Sequence, residues 1–192
     1  MVFVPLYSNL THMKHVPYSL LLGMSIFLFS CKNETKSEQP EIKIAPVVSQ
    51  LIDLGEIEEV SFKTKGALKV FHYYIKLKNS LVNTDAVLAA KASLMLKDVI
   101  TSIDSQESTI TVLEQISISS DIQEQREKFV IVTAIVEKLL ENSVAKGSFF
   151  KQYCPMAFNN TGAYWLSNSK EIRNPYFGSK MLKCGRVDKE IN

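Results

Sequence analysis

The fold is decided by residues 66–100, which read GALKVFHYYIKLKNSLVNTDAVLAAKASLMLKDVI. Up to Val82, apolar side chains recur every three to four residues, as they do in an amphipathic helix. They are Leu68, Phe71, Ile75 and Val82, flanked by Leu77 and Leu81. The cap-type residues Asn83-Thr84-Asp85 follow, and Ala and Leu at helical spacing then continue from Ala86 to Ile100. This pattern predicts two helices joined by a tight turn into an antiparallel hairpin.

Two more helices are predicted downstream. A third is compatible with Ser105 to Gln115, although β-branched residues there disfavour it. Ser119-Ser120-Asp121 can cap a fourth, which we expect to run from Ile122 to Glu141. On that helix we interpret Arg126 and Glu127 as members of surface or inter-helix ion pairs. Four helices with short joints predict a mainly α fold, a small up-and-down bundle.

The residue pattern changes beyond Gly147, where short aromatic runs alternate with residues typical of turns. Those turn residues are Pro155, Asn159-Asn160-Thr161-Gly162, Asn174-Pro175 and Gly178. The pattern predicts a C-terminal cap of hairpin and loops, rich in aromatics. We expect the aromatic rings to pack against the bundle rather than to form a ligand cage.

The N-terminal residues have the features of an export signal. Met13-Lys14-His15 leads into an apolar run from Leu20 to Ser30, which stops at Cys31. The run has about eleven residues, and a helix needs about twenty to span a bilayer. Its end, Leu28-Phe29-Ser30-Cys31, resembles the lipobox of bacterial lipoproteins. That resemblance implies cleavage before Cys31, lipidation of Cys31 and anchoring in the cell envelope, at the outer membrane or facing the periplasm. Ordinary secretion and an uncleaved anchor are the alternatives.

The chain is accordingly divided into a lipoprotein signal peptide at 1–30, a flexible polar tether at 31–46 and a single helical domain at 47–192. The net charge of +2 provides no basic field for nucleic acid, so nucleic acid is not expected as a partner. A catalytic Cys requires a positioned base, and His72 is the one His beyond the signal. It lies far from the cysteines in sequence, so we expect the protein not to be an enzyme.

Two Cys and two Met stand at matched ends of the C-terminal segment, namely Cys154, Met156, Met181 and Cys184. Thiolate and thioether sulfur are soft ligands that select Cu(I). With Cys31 lipidated, Cys154 and Cys184 are the remaining thiols, and outside the cytosol such a pair is either bridged or bound to metal. The sequence leaves both states open. His72 is a further candidate ligand, although a lone His beside an apolar stripe is more often a core residue.

Motifs along the chain carry a resemblance to a known family: Tyr73-Tyr74-x-x-Leu77-Lys78-x-x-Leu81-Val82, Gln125-Arg126-Glu127-x-Phe129, Tyr153-Cys154-Pro155-Met156-Ala157, Gly162-Ala163-x-Trp165-Leu166-Ser167, Glu171-Ile172-Arg173-Asn174-Pro175-Tyr176-Phe177-Gly178 and Met181-Leu182-x-Cys184-Gly185. Over about residues 66 to 187 the chain looks like the DUF3347 family. The resemblance implies an exported protein, since members of the family are exported. The same domain is also found attached to membrane fusion proteins of heavy-metal efflux pumps. Family members commonly offer a His where this chain has Lys128, so a site built on helix-borne imidazoles is not expected.

Two functions follow as expectations. The first is a membrane-anchored protein that binds Cu(I) or a similar soft ion through Cys154 and Cys184, assisted by Met156 or Met181. The second is a non-metal interaction module that docks to the membrane fusion protein of a heavy-metal efflux pump, with Cys154 and Cys184 joined in a structural disulfide. A purely structural envelope lipoprotein remains if both fail.

Overall fold

A computed structural model of the protein describes residues 60–103 and 107–192. The predicted signal peptide, Cys31 and the tether lie outside these residues. All described residues belong to one compact unit. Within them, no helix combines the length and the apolar character needed to cross a membrane.

Helices form the first part of the described domain: α1 (Lys65–Val82), α2 (Ala86–Thr101), α3 (Glu107–Ile118) and α4 (Ile122–Leu139). Each helix packs against the next along the chain, and α4 returns to contact α1. This arrangement confirms the predicted mainly α fold and its order of neighbouring helices.

Side-chain caps explain where three of the helices begin. The Oγ1 atom of Thr64 accepts the backbone N–H of Ala67 at 3.1 Å, before α1. Asp85 accepts the N–H of Leu88 at 2.9 Å before α2, and Asp121 caps α4 in the same way. These bonds satisfy N–H groups that have no partner inside the helix.

Among the described residues, five strands form two antiparallel sheets. The strands β1 (Val60–Phe62) and β2 (Val144–Gly147) pair with each other. The strands β3 (Phe149–Cys154), β4 (Ala163–Ser167) and β5 (Arg186–Ile191) form a sheet with the order β4-β3-β5. The predicted cap of hairpin and loops is therefore a three-stranded sheet. The helix α4 stops at Leu139 rather than at the expected Glu141, and a turn leads from it into β2.

Aromatic rings of the cap are buried against the bundle. Phe149 and Trp165 have no exposed surface, and Phe149 packs on Phe71 of α1 with ring centroids 5.1 Å apart. Phe129 of α4 stacks on Tyr74 of α1 at 5.2 Å. The expectation that these rings belong to the core is confirmed for the buried ones, and burying a ring of this size contributes about 2 to 3 kcal/mol.

The environment of Arg126 differs from the one predicted from the sequence. It is buried, and its Nε donates to the carbonyl of Pro175 at 2.8 Å. Its Nη2 donates to the carbonyl of Leu81 at 3.0 Å and to the hydroxyl of Thr84 at 3.1 Å. The interpretation as a surface or inter-helix ion pair is therefore wrong for Arg126. The reason is positional, because Arg126 lies four residues after Ile122 on the core-facing side of α4.

Gly178 allows the C-terminal loop to approach this guanidinium. Its φ is +59°, a left-handed conformation that favours glycine. A Cβ atom there would lie 2.5 Å from Oγ1 of Thr84 and 2.9 Å from Nη2 of Arg126. A side chain at this position would therefore push the loop away from α1 and α4.

Tyr74 links the bundle to the sheet in a second way. Its hydroxyl lies 2.9 Å from Oγ1 of Thr133 and accepts the backbone N–H of Leu166 at 2.9 Å. Burial raises the pKa of Tyr74 far above its usual value, so the hydroxyl stays protonated. One phenol thus joins α1, α4 and β4.

We expect Arg126→Lys to lower the free energy of unfolding by about 2 to 4 kcal/mol. A Lys ammonium lacks the planar fork and cannot reach the carbonyls of Pro175 and Leu81 together. Urea unfolding checks this, with the exposed neighbour changed by Glu127→Gln as the control, expected to shift stability by less than about 0.5 kcal/mol. Equal stability of the two variants would contradict the role given to Arg126.

Tyr74→Phe is expected to cost about 1 to 3 kcal/mol, because it leaves the N–H of Leu166 buried without a partner. Tyr73→Phe, one residue away and only half-buried, is the matched control and should be close to neutral. Thermal unfolding of the two variants under the same conditions makes the comparison. A neutral Tyr74→Phe would show that the hydroxyl does not hold β4.

Candidate functional site

The antiparallel pairing of β3 and β5 brings the two cysteines together. Tyr153 stands opposite Arg186 in this pair. Cys154 ends β3, and Cys184 precedes β5 by two residues, so the thiols arrive at the same end of the sheet. Their Sγ atoms lie 3.0 Å apart, and both are free thiols.

The two thiols differ in their surroundings. Cys154 is completely buried, whereas Cys184 is half-buried and reachable from solvent. The hydrogen bond with Cys154, helped by partial burial, raises the pKa of the Cys184 thiol, and a backbone hydrogen bond from Met156 offsets part of this rise. Because only thiolates bind metal, ion binding at this pair releases protons and strengthens as the pH rises.

A buried amide holds the chain beside Cys184. Asn174 donates from Nδ2 to the carbonyl of Cys184 at 2.8 Å, and its Oδ1 accepts the N–H of Tyr176 at 2.8 Å. Its own N–H donates to the carbonyl of Leu182 at 2.9 Å. The sequence predicts Asn174 only as a turn residue. The signal was the Asn-Pro pair, since Asn side chains often bond to the backbone two residues further on.

Gly185 is required next to Cys184. Its φ is +146°, and a Cβ atom there would lie 2.8 Å from Cη2 of Trp165 and 2.9 Å from the carbonyl oxygen of Tyr153. The backbone therefore passes directly over the buried indole ring. This close approach sets the position of Cys184 relative to β3.

The structure places the two methionines near this pair through their backbones. The N–H of Cys184 donates to the carbonyl of Met181 at 3.0 Å, and Met156 bonds to the Cys184 thiol through its backbone. Met156 is 46 % exposed, so its side chain is accessible to an incoming ion or partner. The four sulfur residues named from the sequence thus cluster at one end of the cap.

His72 is not joined to this cluster. It is buried on α1, next to the ring of Tyr73 at 5.0 Å. Among the described residues, no three side chains of His, Cys, Asp or Glu come together in a way that could hold a metal ion. A metal site at the cysteines would therefore depend on two thiolates with thioether sulfur, and it stays a prediction.

The sulfur separation of 3.0 Å lies between two known geometries. A disulfide has its sulfurs about 2.0 Å apart. Two thiolates on one tetrahedral ion, each about 2.3 Å from it, are separated by about 3.7 Å. Either state requires the sulfurs to move by roughly 1 Å or less.

An open groove of about 740 Å³ adjoins Met156. One wall is formed by Phe158, Asn159 and Asn160, three consecutive residues with φ between 50° and 66°. Each non-glycine residue in this left-handed region costs of order 1 kcal/mol or more. The surrounding cap holds the backbone in this shape beside the cysteine pair.

Comparison with known proteins supports the family predicted from the motifs. The family model described as a protein of unknown function, DUF3347, matches residues 70–147. This range extends from α1 to β2, so Cys154 and Cys184 lie beyond it. No curated protein and no solved structure matches the chain significantly. The match supports the family assignment, and over residues 70–147 the chain is similar to the DUF3347 domain.

Proposed function

We propose that the protein is an envelope lipoprotein, anchored through Cys31, whose domain binds a soft metal ion such as Cu(I) through Cys154 and Cys184. The meeting of the two thiols, 3.0 Å apart with one of them reachable from solvent, carries the proposal. Two thiolates suit Cu(I), which accepts low coordination numbers and soft ligands. A link to a heavy-metal efflux membrane fusion protein is part of the same proposal and follows from the family resemblance.

The partly exposed position of Cys184 supports exchange of an ion with another protein. An ion held at the rim of the sheet is reachable by a second pair of sulfur ligands, whereas a deeply buried ion is not. The exposed side chain of Met156 offers thioether sulfur at the same rim. These features favour an ion that is delivered and handed on over one that is permanently structural.

Titration of the reduced protein with Cu(I) against a chromophoric chelator tests the proposal. We expect one ion per chain, with binding abolished by Cys154→Ser and by Cys184→Ser, because one thiolate cannot compete with the chelator. Met156→Leu and Met181→Leu should weaken binding by about tenfold or less. Cys31→Ser is the control and should leave the affinity unchanged. Failure of the reduced chain to compete with the chelator would refute metal binding.

A second candidate is a disulfide-stabilised interaction module. The same 3.0 Å separation favours it, because only a small movement is needed to form the bond. The interacting surface in that case would be the groove beside Met156, since the cap's aromatic rings at Phe149 and Trp165 are buried. The partner that the family resemblance implies is still the membrane fusion protein of a heavy-metal efflux pump.

The redox state of the isolated protein separates the two candidates. A bond between residues 30 positions apart would raise the free energy of unfolding by about 3 to 4 kcal/mol in the chain-entropy model. Thiol counting on protein extracted from the cell envelope measures the redox state of the two cysteines. Urea unfolding with and without reductant then measures how much a disulfide stabilises the fold. Two free thiols in freshly extracted protein would favour the metal site. If reductant lowers the free energy of unfolding of the wild type but not that of the Cys154→Ser variant, the structural disulfide is favoured.

A further inference from the structure

A second candidate site lies beside the loop that follows β4. An open cavity of about 380 Å³ separates the second half of α1 from the loop that follows β4. Two cations, Lys78 and Arg173, line it. The lining also includes the amide and hydroxyl side chains of Asn79, Asn83, Ser167 and Ser169 and the carboxylate of Glu171. We propose that this cavity binds a small oxyanion, a phosphate or carboxylate group.

Lys78 is the first reason. Only 3 % of its surface is exposed, and a Lys is almost never buried to this extent without a partner of opposite charge. The salt bridges among the described residues do not include Lys78. Among the described residues, the carboxylate that lines the cavity with Lys78 is that of Glu171, and it acts on Lys78 through its charge without a salt bridge.

Electrostatics around Lys78 point in the same direction. Burial and, to a smaller extent, the positive charge of Arg173 lower the pKa of Lys78 to about 8, against the partly opposing charge of Glu171. The ammonium nevertheless remains charged at neutral pH. An oxyanion placed between Lys78 and Arg173 would offset the repulsion between the two cations. It would also compensate for the loss of hydration of the buried Lys78 ammonium.

The carboxylate of Glu171 lines the same cavity but is already engaged by a third cation. It is exposed and bonds to Lys183, and this hydrogen bond is the main cause that lowers the pKa of Glu171. Arg173 and Lys78 act on it more weakly, through their charge. One carboxylate thus faces three cations, which leaves the neighbourhood of the cavity positive.

Hydrogen bonds from β3 and within the loop itself fix the loop that follows β4. Gln152 of β3 is completely buried, and its Nε2 donates to the carbonyls of Ser169 at 2.8 Å and Glu171 at 3.3 Å. Oγ of Ser167 accepts the N–H of Ser169, and Oγ of Ser169 accepts the N–H of Glu171. Both hydroxyls act as acceptors in these bonds and keep their own protons to donate. A fixed loop with two hydroxyl donors is suited to anion binding.

The pair of cations also matches the shape of an oxyanion. The guanidinium of Arg173 can bind two oxygens of one carboxylate or phosphate side by side. Lys78 supplies a second positive charge, a compact ammonium, in the same cavity. The cavity has room for one such group and a small substituent. Phosphate and carboxylate groups share this chemistry, so each is tested separately.

Calorimetric titration of the full-length protein with inorganic phosphate, and separately with acetate, tests the proposal. We expect a dissociation constant on the order of 1 mM or tighter for at least one of them. Arg173→Gln removes the exposed fork and should weaken binding at least about tenfold. Lys91→Gln, which removes an exposed cation on α2, is the matched control and should leave the affinity unchanged.

Lys78→Met completes the set. It removes a buried charge while keeping most of the side-chain volume, so the variant should fold and should lose anion binding at least as strongly as Arg173→Gln does. Should it fail to fold, Arg173→Gln decides alone, because its side chain is exposed and no structural bond depends on it. Binding of neither anion, or equal binding by the wild type and Arg173→Gln, would overturn the proposal. Binding of phosphate without acetate identifies a phosphate site, and the reverse identifies a carboxylate site.

Discussion

The guanidinium of Arg126 holds three distant parts of the chain at one point. It binds the end of α1 at Leu81, the turn at Thr84 and the C-terminal loop at Pro175. The carbonyls at the end of a helix lack partners and carry partial negative charge, so a buried cation at this position is stabilised without a carboxylate. Together with the hydroxyl of Tyr74, which bonds to β4, this contact sets the position of the cap relative to the bundle.

Local sequence signals predicted the helices well because the signals are themselves local. Asp85 and Asp121 bond to backbone groups two or three residues away, so their role is visible in a short window of sequence. Arg126 acts instead on residues 42 to 49 positions away, and nothing near it in the sequence reveals those partners. Its place on the core side of α4 was visible, but its charge suggested the surface.

The strands show the same limit. The residues of β5 are exposed and largely charged, without the alternation of apolar and polar side chains that predicts a strand. They become a strand only because β3 offers a free edge. The meeting of Cys154 and Cys184 was foreseen from their matched positions, whereas the separation of His72 from them depends on the tertiary fold. Lys78 and Arg173 stand 95 residues apart in sequence, so their shared cavity could not be predicted.

One strand serves both sites. Gln152 and Cys154 are two residues apart on β3 and therefore point to the same, buried face. Gln152 positions the loop at the cavity, and Cys154 presents its sulfur to Cys184. The salt bridge from Lys183 to Glu171 adds a second connection between the cysteine end and that loop. A change in the state of the sulfurs therefore acts on the same strand that supports the cavity.

The strand β5 forms an outer edge of its sheet, and its exposed side chains include Arg186, Asp188, Lys189 and Glu190. Unpaired edges are templates for strands of other molecules, and charged side chains of both signs make such pairing unfavourable. Glu190 is fixed by Ser148 and Lys170, which keeps its charge at the rim. The edge therefore resists aggregation, and copies crowded together can each keep a separate sheet.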